Sequence, residues 1–379
     1  MYLLGNGKDE EPTWLCSLLK VKALFRDASS RGWGRIVEII DCDGRPQSVA
    51  LPESEIESSP MRVRACLADR GLRLQDGRRA HQAFHQLIKG WMPRETLTST
   101  DRLGWSDRSC TAFVCEDGRI IGSGQFHYIG QRSSEAAGGL ISAGSVGDWR
   151  DKVAGLCRGN PLLVLAVSLA FSGPLLELLG EDGGGLRLRG ASSCGKSTVQ
   201  RVATSVWRNP EQIGSWRRTA NGAEQAAMEG NSTLLALDEI AEISGKDLCE
   251  AVYMLANGVG KRRAKSSGWA GRPADWRVAI LSTGEISVAE KISEAGSRYM
   301  AGHDVRLLDI EADGQNHGAF DNFHGSATGA AFSERLKRAA LQNHGTAGRA
   351  FVEKLKRQWT VRTGVSRDIT AHTVVAFTR

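Results

Sequence analysis

The sequence contains no C-x-x-C pair and no cysteines and histidines at the spacing of a zinc site. Its eight cysteines are scattered through 379 residues, which argues against a metal site and against a disulfide framework. We therefore expect reduced thiols in a cytoplasmic protein. His81 and His85 stand four residues apart on a predicted helix, but no further ligand accompanies them, which favours a solvated helix face over a metal site.

The sequence also lacks an uninterrupted apolar run of the roughly 20 residues that a membrane-spanning helix needs. The longest apolar stretch, residues 161–176, is interrupted by Gly173-Pro174, and Glu177 follows it. The chain also lacks a basic-then-apolar leader, because Met1-Tyr2-Leu3-Leu4 is followed at once by polar residues. We expect the apolar stretch to be a buried core helix, and we expect no membrane partner.

The chain has little excess charge of either sign. The net charge is +6 at pH 7, with 24% charged and 41% hydrophobic residues. This is the composition of a soluble globular protein with room for two or three domains. Such a charge permits a nucleic-acid partner without requiring one, so local clusters of charge are more informative than the sum.

What the sequence does contain is a phosphate-binding loop. A strand-like run from Gly185 leads into a segment that fits G-x-x-x-x-G-K-[ST], and helical apolar spacing follows it. The two glycines allow backbone amides to face anionic oxygens at the positive end of the helix. An exposed glycine-rich turn is the alternative. The residues predicted to bind ATP are Gly190, Ser192, Ser193, Cys194, Gly195, Lys196, Ser197 and Thr198.

Within this loop, Lys196 is predicted to reach the β- and γ-phosphates, and the Ser197 hydroxyl to bind Mg²⁺. Downstream, an apolar run ends in Asp238 and Glu239, which predicts a buried parallel strand whose carboxyl end lies beside the loop. Asp238 is expected to hold Mg²⁺ through water, and Glu239 to orient and deprotonate the attacking water. Between these segments, Asn221-Gly222 predicts a turn before a short helix.

The next predicted strand, residues 276–285, carries Thr283 or Ser282 at its tip, where a polar side chain could bind the attacking water. A further strand-like run, residues 304–310, carries Arg306 near its start. In ring ATPases a neighbouring subunit supplies an arginine to the γ-phosphate, and Arg306 is the first candidate for this role. Arg298 is the second candidate. The alternatives are a plain strand end for Thr283 and surface salt bridges for the two arginines.

A basic segment lies between the carboxylate strand and the strand that ends near Thr283. It is framed by glycines and carries four cations in five positions, namely Lys261, Arg262, Arg263 and Lys265. Hexameric helicases carry a pore loop that grips the nucleic-acid backbone at this place, so the segment predicts contact with single-stranded or forked DNA. A solvated charged loop is the alternative.

The chain is predicted to form three parts. Residues 1–145 alternate short strands with turn signals and two helices, which indicates a β-rich α+β N-terminal domain. Residues 146–315 form an α/β core around the phosphate loop, and residues 316–379 form a small helical C-terminal part, whose abrupt apolar end is expected of a truncated module. The linker is predicted within the Ser- and Gly-rich stretch 131–147.

Several of these segments together resemble the family called domain of unknown function 927, DUF927. They are the phosphate loop, Thr219 to Gln225, Leu237-Asp-Glu-Ile, residues 256–264, Leu281 to Glu285, Gly104-Trp105 and residues 345–351. The resemblance implies a P-loop NTPase of AAA+-like fold that uses ATP and Mg²⁺. It also implies a DNA-dependent, hexameric ATPase of phage, plasmid and genomic-island replication, related to the minichromosome maintenance helicases and often found beside a primase.

The leading hypothesis is therefore an ATP-hydrolysing ring motor, a homo-oligomeric helicase acting on DNA during mobile-element replication, with a primase as partner. No primase or zinc-ribbon segment is found in the sequence, and Arg349 is only a weak candidate for a further nucleotide-sensing residue. Two alternatives stay open. One is a nucleotide-dependent scaffold that binds DNA and recruits replication proteins without unwinding. The other is a small-molecule phosphotransferase, which the missing acceptor-substrate lid disfavours.

Overall fold

The computed structural model describes residues 2–3, 13–122, 125–130, 142–260, 274–294 and 306–362. The chain divides into two compact units, one of residues 1–101 and 123–131, the other of residues 102–122 and 132–379. This division differs from the predicted boundaries at residues 145 and 315. Residues 102–122 join the second unit because Trp105 and Phe113 are buried in its core, and the C-terminal helices join it because Phe332 and Phe351 pack in the same core.

The strands follow one another along the chain as β1 (Tyr2–Leu3), β2 (Thr13–Trp14), β3 (Leu19–Arg26), β4 (Gly34–Ile40), β5 (Pro46–Pro52), β6 (Thr96–Thr100), β7 (Gly104–Trp105), β8 (Ala112–Val114), β9 (Ile120–Gly122), β10 (Phe126–Tyr128), β11 (Gly184–Arg189), β12 (Gly214–Ser215), β13 (Leu234–Asp238), β14 (Ala279–Gly284) and β15 (Leu307–Glu311). The helices are α1 (Glu53–Ser58), α2 (Pro60–Asp69), α3 (Arg78–Gly90), α4 (the consecutive segments Val146–Asp148, Trp149–Ala154 and Gly155–Cys157), α5 (Pro161–Leu179), α6 (Lys196–Thr204), α7 (Ala220–Glu229), α8 (Gly245–Asn257), α9 (Val288–Glu294), α10 (Gly329–Gln342) and α11 (Thr346–Arg362). A short 3-10 helix, Ile240–Glu242, follows β13.

The first unit combines a mixed sheet with helices. Its five strands lie in the order β10-β6-β3-β4-β5. The pairs β3–β4 and β4–β5 are antiparallel, whereas β6 runs parallel to β3 and β10. Buried and exposed residues alternate at the start of β3, and α3 buries Ala80, Phe84 and Ile88 along one face. Because these apolar positions recur every four residues, they bury one side of the helix in the unit's main core.

The second unit is built on a parallel sheet with strand order β12-β13-β14-β11-β15. Helices cover both of its faces, since one core cluster includes residues of α5, α6, α10 and α11, and another includes residues of α7, α8 and α9. Leu234 to Leu237 are all buried, as expected for a strand covered on both faces. The mixed α/β character predicted for the chain is therefore confirmed.

Helix α5 contains the apolar stretch and continues through Pro174. The sequence indicates an interruption at Gly173-Pro174, but the helix does not break there. Pro174 has no N–H for the carbonyl of Ala170, and that carbonyl instead accepts a hydrogen bond of 2.7 Å from the Trp207 indole. Gly173 lets the helix approach β13 closely, because a Cβ there would lie 2.7 Å from the Cα of Thr233.

By length and composition α5 could cross a membrane. In the structure, however, its buried residues pack in the core of the second unit, among them Leu163, Ala166 and Ala170. This packing is what the sequence predicts for a core helix. All eight cysteines lie in the described residues and none forms a disulfide. Burial raises the pKa of Cys110, Cys115 and Cys157 to about 12.

Candidate functional site

The predicted phosphate loop connects β11 to α6. It leaves the sheet after Arg189, and α6 begins at Lys196 with Gly195 as its cap. Gly195 has φ 108°, a region that side-chain-bearing residues rarely adopt, and Ser193 has φ 62°. The loop therefore needs glycine at residue 195 to turn into the helix, where free amide groups and the helix dipole favour an anion.

Lys196 lies inside the curve of the loop and is only 8% exposed. Its ammonium donates hydrogen bonds to the carbonyl oxygens of Gly190 at 2.8 Å and Ala191 at 2.6 Å. The Cys194 sulfur lies 3.6 Å from the same nitrogen. Ser192, Ser193 and Ser197 are exposed beside it, whereas Thr198 is buried. The loop carbonyls thus hold the Lys196 ammonium, and the Ser197 hydroxyl stays accessible.

The predicted acidic pair lies at the carboxyl end of the same parallel sheet. Asp238 is the last residue of β13, and Thr283 lies near the end of the neighbouring β14. The Thr283 hydroxyl donates a hydrogen bond to Oδ1 of Asp238, and the Glu239 amide donates another to the same oxygen at 2.8 Å. Ser282 instead accepts a hydrogen bond from the Trp216 indole. Of the two polar residues predicted at this strand end, Thr283 is the one that contacts Asp238.

Glu239 has an unusual backbone conformation, with φ 63° and ψ 50°. A residue with a Cβ pays a steric cost in this left-handed region, and such residues concentrate at functional sites. Its side chain is exposed, whereas Ile240 is fully buried next to it. The turn therefore presents the Glu239 carboxylate to solvent at the edge of the sheet where the loop also lies.

A segment after β15 fastens the phosphate loop, and the sequence reasoning missed it. Oδ2 of Asp313 accepts a hydrogen bond of 2.7 Å from the Ala191 amide, and this bond, together with the nearby Lys196 and Arg189, lowers the pKa of Asp313. The Ala319 amide donates to the Cys194 carbonyl at 2.8 Å. The Phe320 ring packs so closely on Gly195 that a Cβ there would lie 2.8 Å from it. No local pattern signals these contacts.

Gln200 is a second residue that the sequence reasoning missed. It is fully buried on α6, and its amide nitrogen donates to the carbonyl oxygens of Leu237 and Leu281, each at 3.0 Å. These carbonyls belong to β13 and β14. The only signal in the sequence is a glutamine four positions after Lys196 in the predicted helix, on the side that also carries Val199 and Ala203.

Arg306 lies away from the phosphate loop of its own chain. It stands directly before β15, at the amino edge of the sheet, whereas the loop follows the carboxyl end of β11. Its guanidinium lies 4.5 Å from the centre of the Tyr253 ring and 3.2 Å from Oδ1 of Asn257. Any contact with a γ-phosphate would therefore involve another copy of the chain. Arg298 lies outside the described residues.

The basic segment with Lys261, Arg262, Arg263 and Lys265 also lies outside the described residues. The residues that flank it pair with each other, because the Gly260 amide donates to the Ala274 carbonyl at 2.8 Å, and Val259 forms an antiparallel bridge with Asp275.

The remaining candidates have protein partners. Arg349 forms an ion pair of 3.0 Å with Asp117. His81 lies 2.9 Å from Asp76, and His85 lies 2.9 Å from the Ile56 carbonyl oxygen.

The residues at the loop fit a nucleotide with Mg²⁺. Among the described residues there is no group of three His, Cys, Asp or Glu side chains that could hold a metal by itself. Mg²⁺ usually binds through one or two carboxylates, substrate phosphates and water. Asp238 offers one partly exposed carboxylate and Ser197 an exposed hydroxyl, so this donor set suits a magnesium ion that arrives with phosphates.

Comparison with solved structures shows a shared fold. The chain is similar to a structure described as "SCCmec type IV Cch - active helicase", with TM-score 0.67 and 18% identity, over 97% of this chain and 69% of that chain. NtrX from Brucella abortus in complex with ATP matches with TM-score 0.26 and 15% identity, over 56% of this chain and 54% of that chain, which is too weak to carry an argument.

No curated protein matches the sequence. A family model described as "Domain of unknown function (DUF927)" matches residues 2–276. This match covers most of the chain, including the phosphate loop and the Asp238-Glu239 pair, and confirms the resemblance seen in the sequence. The chain therefore belongs to the DUF927 family.

Proposed function

We propose that the chain is an ATP-hydrolysing P-loop ATPase with an AAA+-like core that acts on DNA, as a helicase of mobile-element replication. One observation carries the proposal. The loop that encloses Lys196 and the Asp238–Thr283 pair lie at the same edge of one parallel sheet, where ligands of open α/β sheets bind. The likeness in fold to a structure described as an active helicase supports it.

In this proposal the chain's own residues divide the chemistry between them. The loop amides and Lys196 bind the β- and γ-phosphates, after the ammonium exchanges its loop carbonyls for phosphate oxygens. Ser197 and Asp238 would hold magnesium, Asp238 through water, and the ion would neutralise charge that develops on the phosphate oxygens. The Glu239 carboxylate takes a proton from the attacking water, and Thr283 orients Asp238 or that water.

The proposal includes a homo-oligomeric ring. Arg306 stands at the opposite edge of the sheet from the loop of its own chain, so a role at a γ-phosphate requires a neighbouring copy. Arg298, which lies outside the described residues, stays the second candidate for this role. An arginine supplied in this way stabilises the transition state, because it offsets charge on the transferred phosphoryl group.

DNA is the proposed partner because four cations stand in five positions at 261–265, between residues that pair with each other. Closely spaced cations bind the nucleic-acid backbone without reading its sequence, and such binding weakens steeply with salt. The proposed DNA is single-stranded or forked. A primase partner is a further proposal that rests on the family resemblance alone.

The test is the ATPase rate with and without single-stranded DNA. We expect Lys196→Ala and Glu239→Gln to lower the rate by roughly 10²-fold or more, because each removes a group that acts on the transferred phosphate. Lys261→Ala/Arg262→Ala is expected to abolish stimulation by DNA and leave the basal rate unchanged. The matched control is Lys337→Ala/Arg338→Ala, which removes two adjacent cations from α10.

A rate that DNA leaves unchanged, in the wild-type protein and in the 261–262 variant alike, would exclude a motor on DNA. Strand displacement on a forked duplex then separates a helicase from a scaffold. DNA binding without displacement would favour a scaffold that recruits replication proteins. A monomer in the presence of a non-hydrolysable nucleotide, measured by light scattering, would instead favour a small-molecule phosphotransferase.

A further inference from the structure

We infer that Gln200 is a positioning residue that sets the distance of Asp238 and Thr283 from Lys196 and Ser197. The inference rests on the proposed function, because these four residues are the ones assigned to phosphate and magnesium. Gln200 has no exposed surface and lies on α6 one turn after Lys196. Glutamine is seldom fully buried, since its amide must find hydrogen-bond partners in the interior.

Its partners lie on two different strands. Nε2 donates to the carbonyl oxygen of Leu237 at 3.0 Å and to that of Leu281 at 3.0 Å. Leu237 directly precedes Asp238, and Leu281 stands two residues before Thr283. One amide nitrogen therefore ties the helix that begins with Lys196 and Ser197 to the two strands that carry the other members of the site.

The orientation of this amide follows from the nature of its partners. Both are carbonyl oxygens, which only accept hydrogen bonds, so the nitrogen has to face them and the oxygen faces away. Among the described residues no donor reaches that oxygen. A buried acceptor without a donor is unfavourable for stability. An apolar residue would avoid this cost, so the glutamine is better explained by the link that its nitrogen makes.

Loss of this link should separate binding from turnover. The loop amides and Lys196 contact phosphate without passing through Gln200, so the affinity for ATP in the absence of metal should persist. Asp238 and Thr283 would lose their fixed distance from Ser197, and small displacements of catalytic groups lower rates strongly. The Mg²⁺ concentration needed for half-maximal activity should rise, because Asp238 would no longer be held at a fixed distance from Ser197.

The experiment compares Gln200→Leu with the matched control Thr204→Val. Thr204 is also buried on α6, but its hydroxyl donates to the Gln200 carbonyl at 2.8 Å, within the helix. The control therefore removes one buried hydrogen bond of the same helix and leaves the strands alone. Gln200→Met, which keeps the unbranched shape, takes the place of the leucine variant if that variant does not fold.

Three quantities are measured on the whole protein. The first is kcat and KM for ATP at several Mg²⁺ concentrations, the second is ATP binding in EDTA, and the third is amide hydrogen exchange of residues 234–239 and 279–284 without nucleotide. For Gln200→Leu we expect kcat to fall about 10- to 100-fold, a higher half-saturating Mg²⁺ concentration, faster exchange in both segments, and binding in EDTA within about threefold of wild type. Thr204→Val should stay within about twofold throughout.

Unchanged kcat in Gln200→Leu, or equal losses in both variants, would overturn the inference. A parallel loss of ATP binding in EDTA would also overturn it, because it would indicate general damage to α6. Absence of ATP binding by the wild-type protein would refute the proposed function instead. In that event the exchange rates still decide whether Gln200 holds β13 and β14 in place, since they need no nucleotide.

Discussion

The hydroxyl of Thr283 donates a hydrogen bond to Oδ1 of Asp238, and thereby joins the ends of two neighbouring parallel strands through their side chains. We expect Thr283→Val, which keeps the shape and removes the donor, to lower the Mg²⁺-dependent ATPase rate by about tenfold or more. Ser282→Ala is the matched control, because Ser282 precedes Thr283 but bonds to Trp216 instead. Equal effects of the two changes on the rate would contradict a specific role for Thr283.

The position of Arg306 predicts complementation between copies of the chain. In a ring, Arg306→Ala removes a group that acts on the neighbour's nucleotide, whereas Glu239→Gln removes one that acts on the chain's own nucleotide. Each variant alone should hydrolyse ATP far more slowly than wild type, and a mixture should regain part of the activity, because some interfaces then pair an intact arginine with an intact glutamate. Steady-state ATPase assays on mixtures at fixed total protein measure this. A mixture whose ATPase rate is no higher than the sum of the two separate variants would argue against an active site shared between copies.

The carboxylate of Asp313 predicts a dependence of stability on pH. Its hydrogen bond from Ala191, and then the charges of Lys196 and Arg189, lower its pKa below the ordinary value of 3.8. A group whose pKa is depressed by folding stabilises the protein above its unfolded-state pKa, and this stabilisation is lost as the pH falls through the folded-state pKa.

Wild type should therefore be more stable than Asp313→Asn near neutral pH, and the difference should vanish at acidic pH, where the carboxyl and the amide are both uncharged. Urea denaturation of both proteins at several pH values measures the difference. Persistence of the full difference well below pH 3.8 would show that the charge of Asp313 is not its cause.

The ion pair between Arg187 and Asp309 joins β11 to β15 and predicts a large stability effect. Arg187 is fully buried, and its NH1 lies 2.7 Å from Oδ1 of Asp309. Burial lowers the pKa of Arg187, and the Asp309 carboxylate opposes this shift. Asp309→Asn leaves a buried cation without its counter-charge, so we expect a loss of roughly 2–4 kcal/mol in the free energy of unfolding.

Equilibrium urea denaturation tests this expectation. The control is Lys152→Met, which breaks an exposed pair with Asp148 and should leave the transition almost unchanged. If both variants unfold at the wild-type midpoint, the pair between Arg187 and Asp309 contributes little to stability.

The indole of Trp207 substitutes for the backbone donor that Pro174 lacks, which predicts coupling between the two residues. Trp207→Phe leaves the Ala170 carbonyl without a donor and should cost about 1–3 kcal/mol. In the background of Pro174→Ala, the new backbone N–H can bond to that carbonyl, so the same change should cost less. A double-mutant cycle by urea denaturation measures the coupling, which we expect to be about 1 kcal/mol. Additive costs would mean that Trp207 stabilises the protein through the packing of its ring and not through this hydrogen bond.

Much of the core could be predicted because its signals are local. The strand before Asp238 and the one that ends at Gly284 are short apolar runs between polar segments, and the phosphate loop has a fixed spacing. Asn221-Gly222 was wrongly read as a turn. Both residues belong to the first turn of α7, because the Thr219 hydroxyl accepts a hydrogen bond from the Gly222 amide and caps the helix there.

The sequence could not reveal contacts between distant segments. Asp313 meets Ala191 across 122 residues, and Gln200 meets Leu281 across 81, and no periodicity encodes either pair. The burial of Arg187 has no signal in the sequence either, because arginine is rarely buried without a partner, whereas Arg187 is fully buried beside Asp309. A buried charge of this kind depends on its partner, which lies on another strand.

The fastening of the phosphate loop by a segment so far along the chain bears on how the protein is made. Ala191 leaves the ribosome 122 residues ahead of Asp313, and Ala319 and Phe320 follow later still. Until the nascent chain has grown past residue 320, the loop lacks the partners that hold it in shape. If the chain binds ATP as proposed, we therefore expect capture of the nucleotide only after residues 313–320 have been made, and no protection of shorter nascent chains by ATP against proteases.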